Sequence, residues 1–364
     1  MVLAHLISNG NSFAQTTISL GLLPEEIQEP SGLIMINGLL FTHNDSGAEA
    51  LIYQLNQNTY EIDRTIFISN ANNTDWEDLT IDNLYLYIGD FGNNSGDRVD
   101  LKILRIPIAQ IMANDTVSAE FIEFAYEDQT NFESQPLATN FDCEAFISFG
   151  DSLVLFTKNW LDLKTTIYSI NKNPGNYLAR RIGNLDVSSL ISGADFNYSN
   201  SELALSAYQL SGASIYRIQL ESTISYWNNL VFVSESINLS SSFQVEGICY
   251  LNDSCLILSS ESSFSGDAAL YRNCRENATD IENHPDIQFF LFPNPSQDYI
   301  IVRLKNAKSN ELFEITDESG RILISNITLN HSSSQIDISN LPTGVYFLKS
   351  STQKYVPKQF LIKR

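Results

Sequence analysis

Positive charge is what this chain has least of: 21 lysines and arginines stand against 43 aspartates and glutamates in 364 residues, a net charge of −22. The deficit is confined to the stretch before His284, where about 36 acids face about 12 bases; after it the balance is about 7 against 9. A body of that sign repels phosphate backbones and anionic lipid, so no nucleic acid is expected as a partner. No apolar run approaches the roughly 20 residues that a spanning helix needs, so no transmembrane segment is expected. Histidine is scarce as well, with 4 copies. HExxH, GxSxG and GxxxxGK[ST] are all missing, which removes zinc-peptidase, α/β-hydrolase and P-loop chemistry. His5 falls in a leader, His284 in a linker and His331 in the tail, leaving His43 as the one histidine placed for a general base. The four cysteines, Cys143, Cys249, Cys255 and Cys274, form no CxxC pair, which argues against a zinc knuckle.

What the body does contain is a repeat. Five segments share an apolar-aromatic pattern: Ala50–Leu55, Leu101–Ile106, Thr165–Ile170, Ala213–Ile218 and Ala268–Arg272. Each follows an opening, in order Ser31-Gly32-Leu33, Glu77-Asp78-Leu79, Glu144-Ala145-Phe146, Ala194-Asp195-Phe196 and Glu246-Gly247-Ile248. The spacing of about 46 to 67 residues suits four-stranded propeller blades. Fourth strands are expected at 60–67, 120–124, 177–182 and 230–233, and none follows the fifth unit. A toroid must close or expose two sheet edges. The lone strand at 16–20 is therefore expected to complete the last blade. The reading is an all-β chain: a five-bladed β-propeller over 16–276, six being the alternative if the long third unit conceals one.

In a blade, the first strand begins and the second ends on one face. The opening residues Glu77, Asp78, Glu144, Asp195 and Glu246 should thus meet His43, Asp45, Asp90, Lys158, Tyr208 and Glu261 at one rim. Carboxylates gathered around one axis repel unless a proton or cation neutralises them. Calcium before magnesium is the expected cofactor, with Glu77, Asp90, Glu144 and Glu246 as its ligands. His43, Asp45, Lys158 and Glu261 complete the expected ligand-binding set. Trp76, Trp160 and Tyr208 lie near the same rim, where rings either stack on a sugar or pack between blades. Cys255 and Cys274 flank the Ser263–Gly266 turn almost symmetrically, so they are the expected disulfide.

The Asp75-Trp76-Glu77-Asp78 and Gly89-Asp90-Phe91-Gly92-Asn93-Asn94 stretches resemble a set of bacterial propellers that share a WED and a GD-[FI]-G-[ND]-N pattern. More distantly they resemble phytase-like and gluconolactonase-like propellers. The tail is more specific. Phe289-Phe290-Leu291-Phe292-Pro293-Asn294-Pro295, Thr316-Asp317-Glu318-Ser319-Gly320-Arg321, Leu341-Pro342-Thr343-Gly344-Val345-Tyr346-Phe347 and the final Lys363-Arg364 occur in order. This resembles the type A C-terminal sorting domain of the Bacteroidetes type IX secretion system. The resemblance implies a small immunoglobulin-like β-sandwich over 289–364, preceded by a polar linker at 277–288. It implies the type IX translocon and sortase as partners, and a secreted or cell-surface destination by way of the periplasm and outer membrane. Met1–Gln15 reads as the remnant of a signal peptide, short of the usual basic start. The expected function is a binding module for an extracellular ligand; the alternative is a metal-assisted hydrolase of a phosphoester, lactone or glycoside.

Overall fold

Short apolar runs divided by Asn, Asp and Gly build strands here, and the first hairpin shows how. Asn37 and Gly38 adopt φ of 51° and 79°, the left-handed pair that a two-residue turn demands between twisted strands. The computed structural model describes residues 14–209, 212–220, 227–228, 230–237, 239, 244–262, 267–276, 289–292, 295–304, 311–317, 321–329, 333–350 and 358–364. Residues 1–13, the 263–266 turn, the 277–288 linker and the 318–320 turn, all singled out above, lie outside the described residues. The chain divides into two compact units, Met1–Glu276 and Asn277–Arg364.

The first unit opens with β1 (Ala14–Leu22). Blade 1 is β2 (Pro30–Ile36), β3 (Leu39–Asn44), β4 (Leu51–Leu55) and β5 (Ile62–Ile68). Blade 2 is β6 (Trp76–Ile81), β7 (Tyr85–Asp90) and β8 (Lys102–Pro107). Helix α1 (Ile108–Ala113) and the short β9 (Thr116–Val117) then precede its outer strand β10 (Glu120–Tyr126). Blade 3 is β11 (Cys143–Phe149), β12 (Ser152–Thr157), β13 (Thr165–Asn171) and β14 (Gly175–Leu185). Blade 4 is β15 (Leu190–Asn197), β16 (Glu202–Gln209), β17 (Gly212–Gln219) and β18 (Phe232–Ile237). Blade 5 has three strands of its own, β19 (Val245–Tyr250), β20 (Cys255–Ser260) and β21 (Ala269–Glu276).

The fourth strand of blade 5 is β1, antiparallel to β21 from Ala14↔Glu276 to Leu22↔Ala269. The seam closes as the missing fourth strand required. Inner strands meet in a ring, β2 against β6, β6 against β11, β11 against β15, β15 against β19 and β19 against β2. Among the described residues each of the five blade interfaces has its own apolar cluster, centred for example on Trp76, Phe146, Phe156, Ile248 and Leu33. Five clusters around a ring of five inner strands make five blades, not six. Two departures from equal blades stand out. β10 and β14 pair in parallel and fuse blades 2 and 3 into one 8-stranded sheet, and β9 crosses to pair with β5 of blade 1.

Cys255 and Cys274 sit directly opposite each other on β20 and β21 and are bonded, with Cα atoms 4.1 Å apart. Cys143 and Cys249 are buried free thiols.

The second unit is two sheets over one core. β22 (Phe289–Phe292), β23 (Tyr299–Leu304) and β26 (Ser333–Asp337) form one; β25 (Ile322–Leu329), β24 (Glu311–Asp317), β27 (Gly344–Ser350) and β28 (Lys358–Ile362) form the other. Ile300 and Val302 from the first meet Phe313, Ile315, Leu348 and Phe360 from the second. Two packed antiparallel sheets are the sandwich that the strand pattern implied.

Candidate ligand site at the axial mouth

Every innermost strand breaks register near its start. The shifts fall between Pro30 and Leu33, Trp76 and Leu79, Cys143 and Ala145, Ile191 and Gly193, and Val245 and Ile248. A bulge bends a strand and re-aims the side chain it carries. Its recurrence makes Ser31, Glu77, Glu144, Ser192 and Glu246 equivalent positions. This alignment corrects the expected opening of blade 4: Ser192, not Asp195, takes that place. Asp195 lies three residues on, where its carboxylate accepts the Phe196 N–H at 2.8 Å and the Tyr250 N–H at 2.7 Å, tying blade 4 to blade 5.

Below the mouth the inner strands nearly touch. A Cβ on Gly193 would lie 2.3 Å from the Glu246 carbonyl oxygen, and one on Gly247 would lie 2.2 Å from that of Ser31. Glycine is required there by backbone approach. Blade 2 carries Asp78 at the corresponding position. Its Oδ1 accepts the Leu79 N–H at 2.8 Å, while Oδ2 accepts those of Phe146 at 3.1 Å and Ala194 at 3.2 Å. One fully buried carboxylate thus gathers amides from blades 2, 3 and 4.

Above that neck the acids crowd one another, and of the nearest three only Asp45, among the described residues, accepts a backbone amide in its side chain, the N–H of Ser46 at 2.5 Å. Ligand atoms of Asp45, Asp75 and Glu77 all lie within 4.8 Å of one another. Asp75 is fixed by its carbonyl, which accepts the Phe91 and Gly92 N–H groups at 3.1 and 3.2 Å. Gly92 abuts the trio so closely that a Cβ there would lie 2.0 Å from Glu77 Oε1 and 2.5 Å from Asp75 Oδ2. Glu77 and Glu246 are 6% and 5% exposed, and among the described residues neither side chain makes a hydrogen bond or ion pair. Burial pushes Glu77 well above the usual carboxylate range, and the charges of Glu144, Asp45, Asp75 and Asp142 push it further. Burial likewise takes Asp45 to about 7, with Asp75 and Glu261 adding to the rise. Asp75 reaches about 6 through burial, against the pull of Arg98.

Among the described residues the ammonium at the mouth is that of Lys158. Lys158 Nζ is 3.1 Å from Glu144 Oε1 and 5.1 Å from the ring centroids of both Trp160 and Tyr208. Burial works against its charge, but Glu144, Glu246, Tyr208 and Asp142 outweigh it and hold the ammonium protonated. Burial also raises Glu144 and Glu246, with Lys158 opposing in each case. Half-buried Glu261 is raised by burial and again opposed by Lys158.

Besides Asp78 and Asp195, two more residues expected at the rim stand apart. Asp90 turns to its own blade, with Oδ1 at 2.9 Å from Arg98 Nη2 and Oδ2 at 2.9 Å from Lys102 Nζ. Both oxygens already face cations, so Asp75 takes its place beside Glu77. His43 is fully buried; its Nδ1 donates to the Asn44 carbonyl at 2.8 Å and its Nε2 accepts the Gly32 N–H at 3.2 Å. Burial lowers it to about 4, so it is a neutral core histidine with both nitrogens engaged. Trp76 is likewise fully buried, edge-on to His43 at 5.7 Å.

Asp142 was not among the expected residues. Its Oδ1 accepts the Asn93 N–H at 2.6 Å and its Oδ2 accepts the Trp160 indole N–H at 2.7 Å, which fixes the ring beside the mouth. A signal for it existed in the sequence. Asp75-Trp76-Glu77 and Asp142-Cys143-Glu144 are the same D-x-E step in consecutive blades.

Among the described residues no helix is long and apolar enough to cross a membrane. No curated protein matches the chain. Among solved structures, the chain is similar to a PQQ-bound aldose sugar dehydrogenase from Streptomyces coelicolor, with 10% identity, a TM-score of 0.40, and coverage of 73% of this chain and 100% of that one. It is also similar to an exo-β-1,3-galactanase from Phanerochaete chrysosporium, with 10% identity, a TM-score of 0.44, and coverage of 95% and 98%. Residues 290–364 match the family described as secretion system C-terminal sorting domain. The ring of strands makes the body a β-propeller, and the tail is a type IX sorting domain.

Proposed function

We propose that the body is a binding module, delivered outside the cell by its sorting domain, that holds a hard divalent cation at Asp45, Asp75 and Glu77 and offers it to an extracellular ligand. Calcium is the first choice. Three oxygens within 4.8 Å of one another suit a common ion at calcium–oxygen distances of about 2.3–2.6 Å. The donor set is oxygen alone, since both nitrogens of His43 are engaged elsewhere, and that favours a hard cation over zinc. The observation that carries the reading is Glu77 itself, a carboxylate 6% exposed with other carboxylates around it and no donor of its own among the described residues. A buried charge in that position needs a cation or a proton.

The test is thermal unfolding of the full chain over a calcium titration, with magnesium and a chelator as comparators. At about a hundredfold excess over the dissociation constant, calcium should add about 2.7 kcal/mol, or roughly 5–10 °C in Tm. Glu77→Gln should abolish that shift. A calcium response equal in wild type and Glu77→Gln would sink the proposal.

A second reading is supported by Glu144 and Glu246, two buried carboxylates that Lys158 bears on, the first as an ion pair at 3.1 Å. Such a pair can divide acid and base roles in a hydrolase. Chelator-sensitive turnover of a phosphoester, lactone or glycoside that disappears in Glu246→Gln would favour it.

A further inference from the structure

Calcium takes six to eight oxygens, and three carboxylates leave several positions open. What else borders that opening constrains what fills them. Glu246 is 5% exposed and accepts no hydrogen bond among the described residues, with Lys158 as the cation that bears on it, so its oxygens are open to a further donor. Trp160 and Tyr208 are half-buried rings that flank the same ammonium at 5.1 Å, so both border the same few ångströms of the mouth.

Three ligand chemistries can be weighed against this set. An anion meets Asp45, Asp75, Glu77, Glu144, Glu246 and Glu261 with one lysine among them, and that lysine is already paired to Glu144. An amine would seek the space between the rings, but the chain's own Lys158 occupies it. A neutral polyol meets neither obstacle. Its hydroxyls can donate to Glu246, its vicinal oxygens can complete a hard cation's shell, and its C–H groups can pack on the exposed part of the Trp160 and Tyr208 rings, outside the space that Lys158 fills. We propose that Glu246, Trp160 and Tyr208, together with the open side of the cation site, form a subsite for a neutral glycan. This rests on the cation reading above.

The test is affinity electrophoresis of the full chain through mannan, laminarin and xylan, each with calcium and with chelator. Polygalacturonate and polylysine serve as anionic and cationic comparators. A neutral polysaccharide should retard the protein in calcium, and chelator should weaken that binding by roughly tenfold or more. Trp160→Ala and Glu246→Gln should each weaken it by roughly tenfold. Trp160→Ala should keep the calcium shift in Tm, which shows that the variant is folded. A normal calcium shift with no retardation by any neutral polysaccharide overturns the glycan subsite and leaves the cation site standing. Retardation by polylysine alone overturns it in favour of a cationic partner. Loss of the calcium shift in wild type removes the cation site, and retardation unaffected by chelator removes the cation from glycan binding.

Discussion

Glu77 and Asp78 are neighbours on one strand, both buried, and they have opposite surroundings. Asp78 is met by three backbone N–H groups from three blades. Glu77 is met by Glu144, Asp45 and Asp75. The same division holds between Asp195, which accepts two amides, and Glu246, which accepts none among the described residues. A buried acid lined with amides is part of the scaffold, whereas one lined with other acids calls for a proton or a cation to neutralise it. Burial and charge type do not separate the two roles; the donors do.

That contrast can be broken most severely at the neck. Asp78→Ala removes the shared acceptor and strands amides on blades 3 and 4, which should cost about 3–5 kcal/mol at roughly 1–3 kcal/mol per unmet group. Urea unfolding would measure it, and a loss under 1 kcal/mol would show the neck to be held by backbone packing alone. The matching change at the mouth should go the other way. Without cation, Glu77→Gln relieves repulsion and should stabilise by about 1 kcal/mol, a rise of roughly 2–4 °C by calorimetry.

Gly92→Ala sharpens the comparison without touching an acid. The added carbon would lie 2.0 Å from Glu77 Oε1, so the carboxylate must move and the calcium response should fall while the fold remains. The smallest effect is on pH. Asp45 keeps its proton to about pH 7 in the folded chain, against an ordinary value of 3.8, so the folded state holds more protons across that window. Cation-free stability should therefore rise as pH falls from about 7 toward 4, and calcium, which displaces those protons, should bind more tightly as pH rises. Stability measured across that range in chelator, showing the reverse slope, would mean that the mouth acids are ionised without help.

The propeller was legible because its repeats survive in the third strands, where Ile167-Tyr168 and Ile215-Tyr216 occupy the same place in different blades. The seam was legible by subtraction, from a unit with no fourth strand and a leading strand with no unit. The Cys255–Cys274 bond followed from a hairpin. The mouth was harder to read. A bulge adds a residue whose presence spacing alone does not reveal, so Ala194-Asp195-Phe196 imitated an opening that belongs to Ser192. Asp90 looked like a ligand because its neutralising partners, Arg98 and Lys102, approach only once the loop between β7 and β8 folds back. His43 was placed on the rim by position, while its burial depends on Gly32 and Trp76 from other strands.

The bond between Cys274 and Cys255 has a mechanical consequence. β21 is the last strand of the body, and its final residue, Glu276, leads directly toward the segment that the export apparatus handles. A pull applied at that end would meet the disulfide two residues into the strand and pass to β20, so β21 could not be stripped from its own hairpin. The last strand of the body is thereby tied covalently to its inner neighbour β20, while its join to β1, the seam that closes the ring, rests on strand pairing.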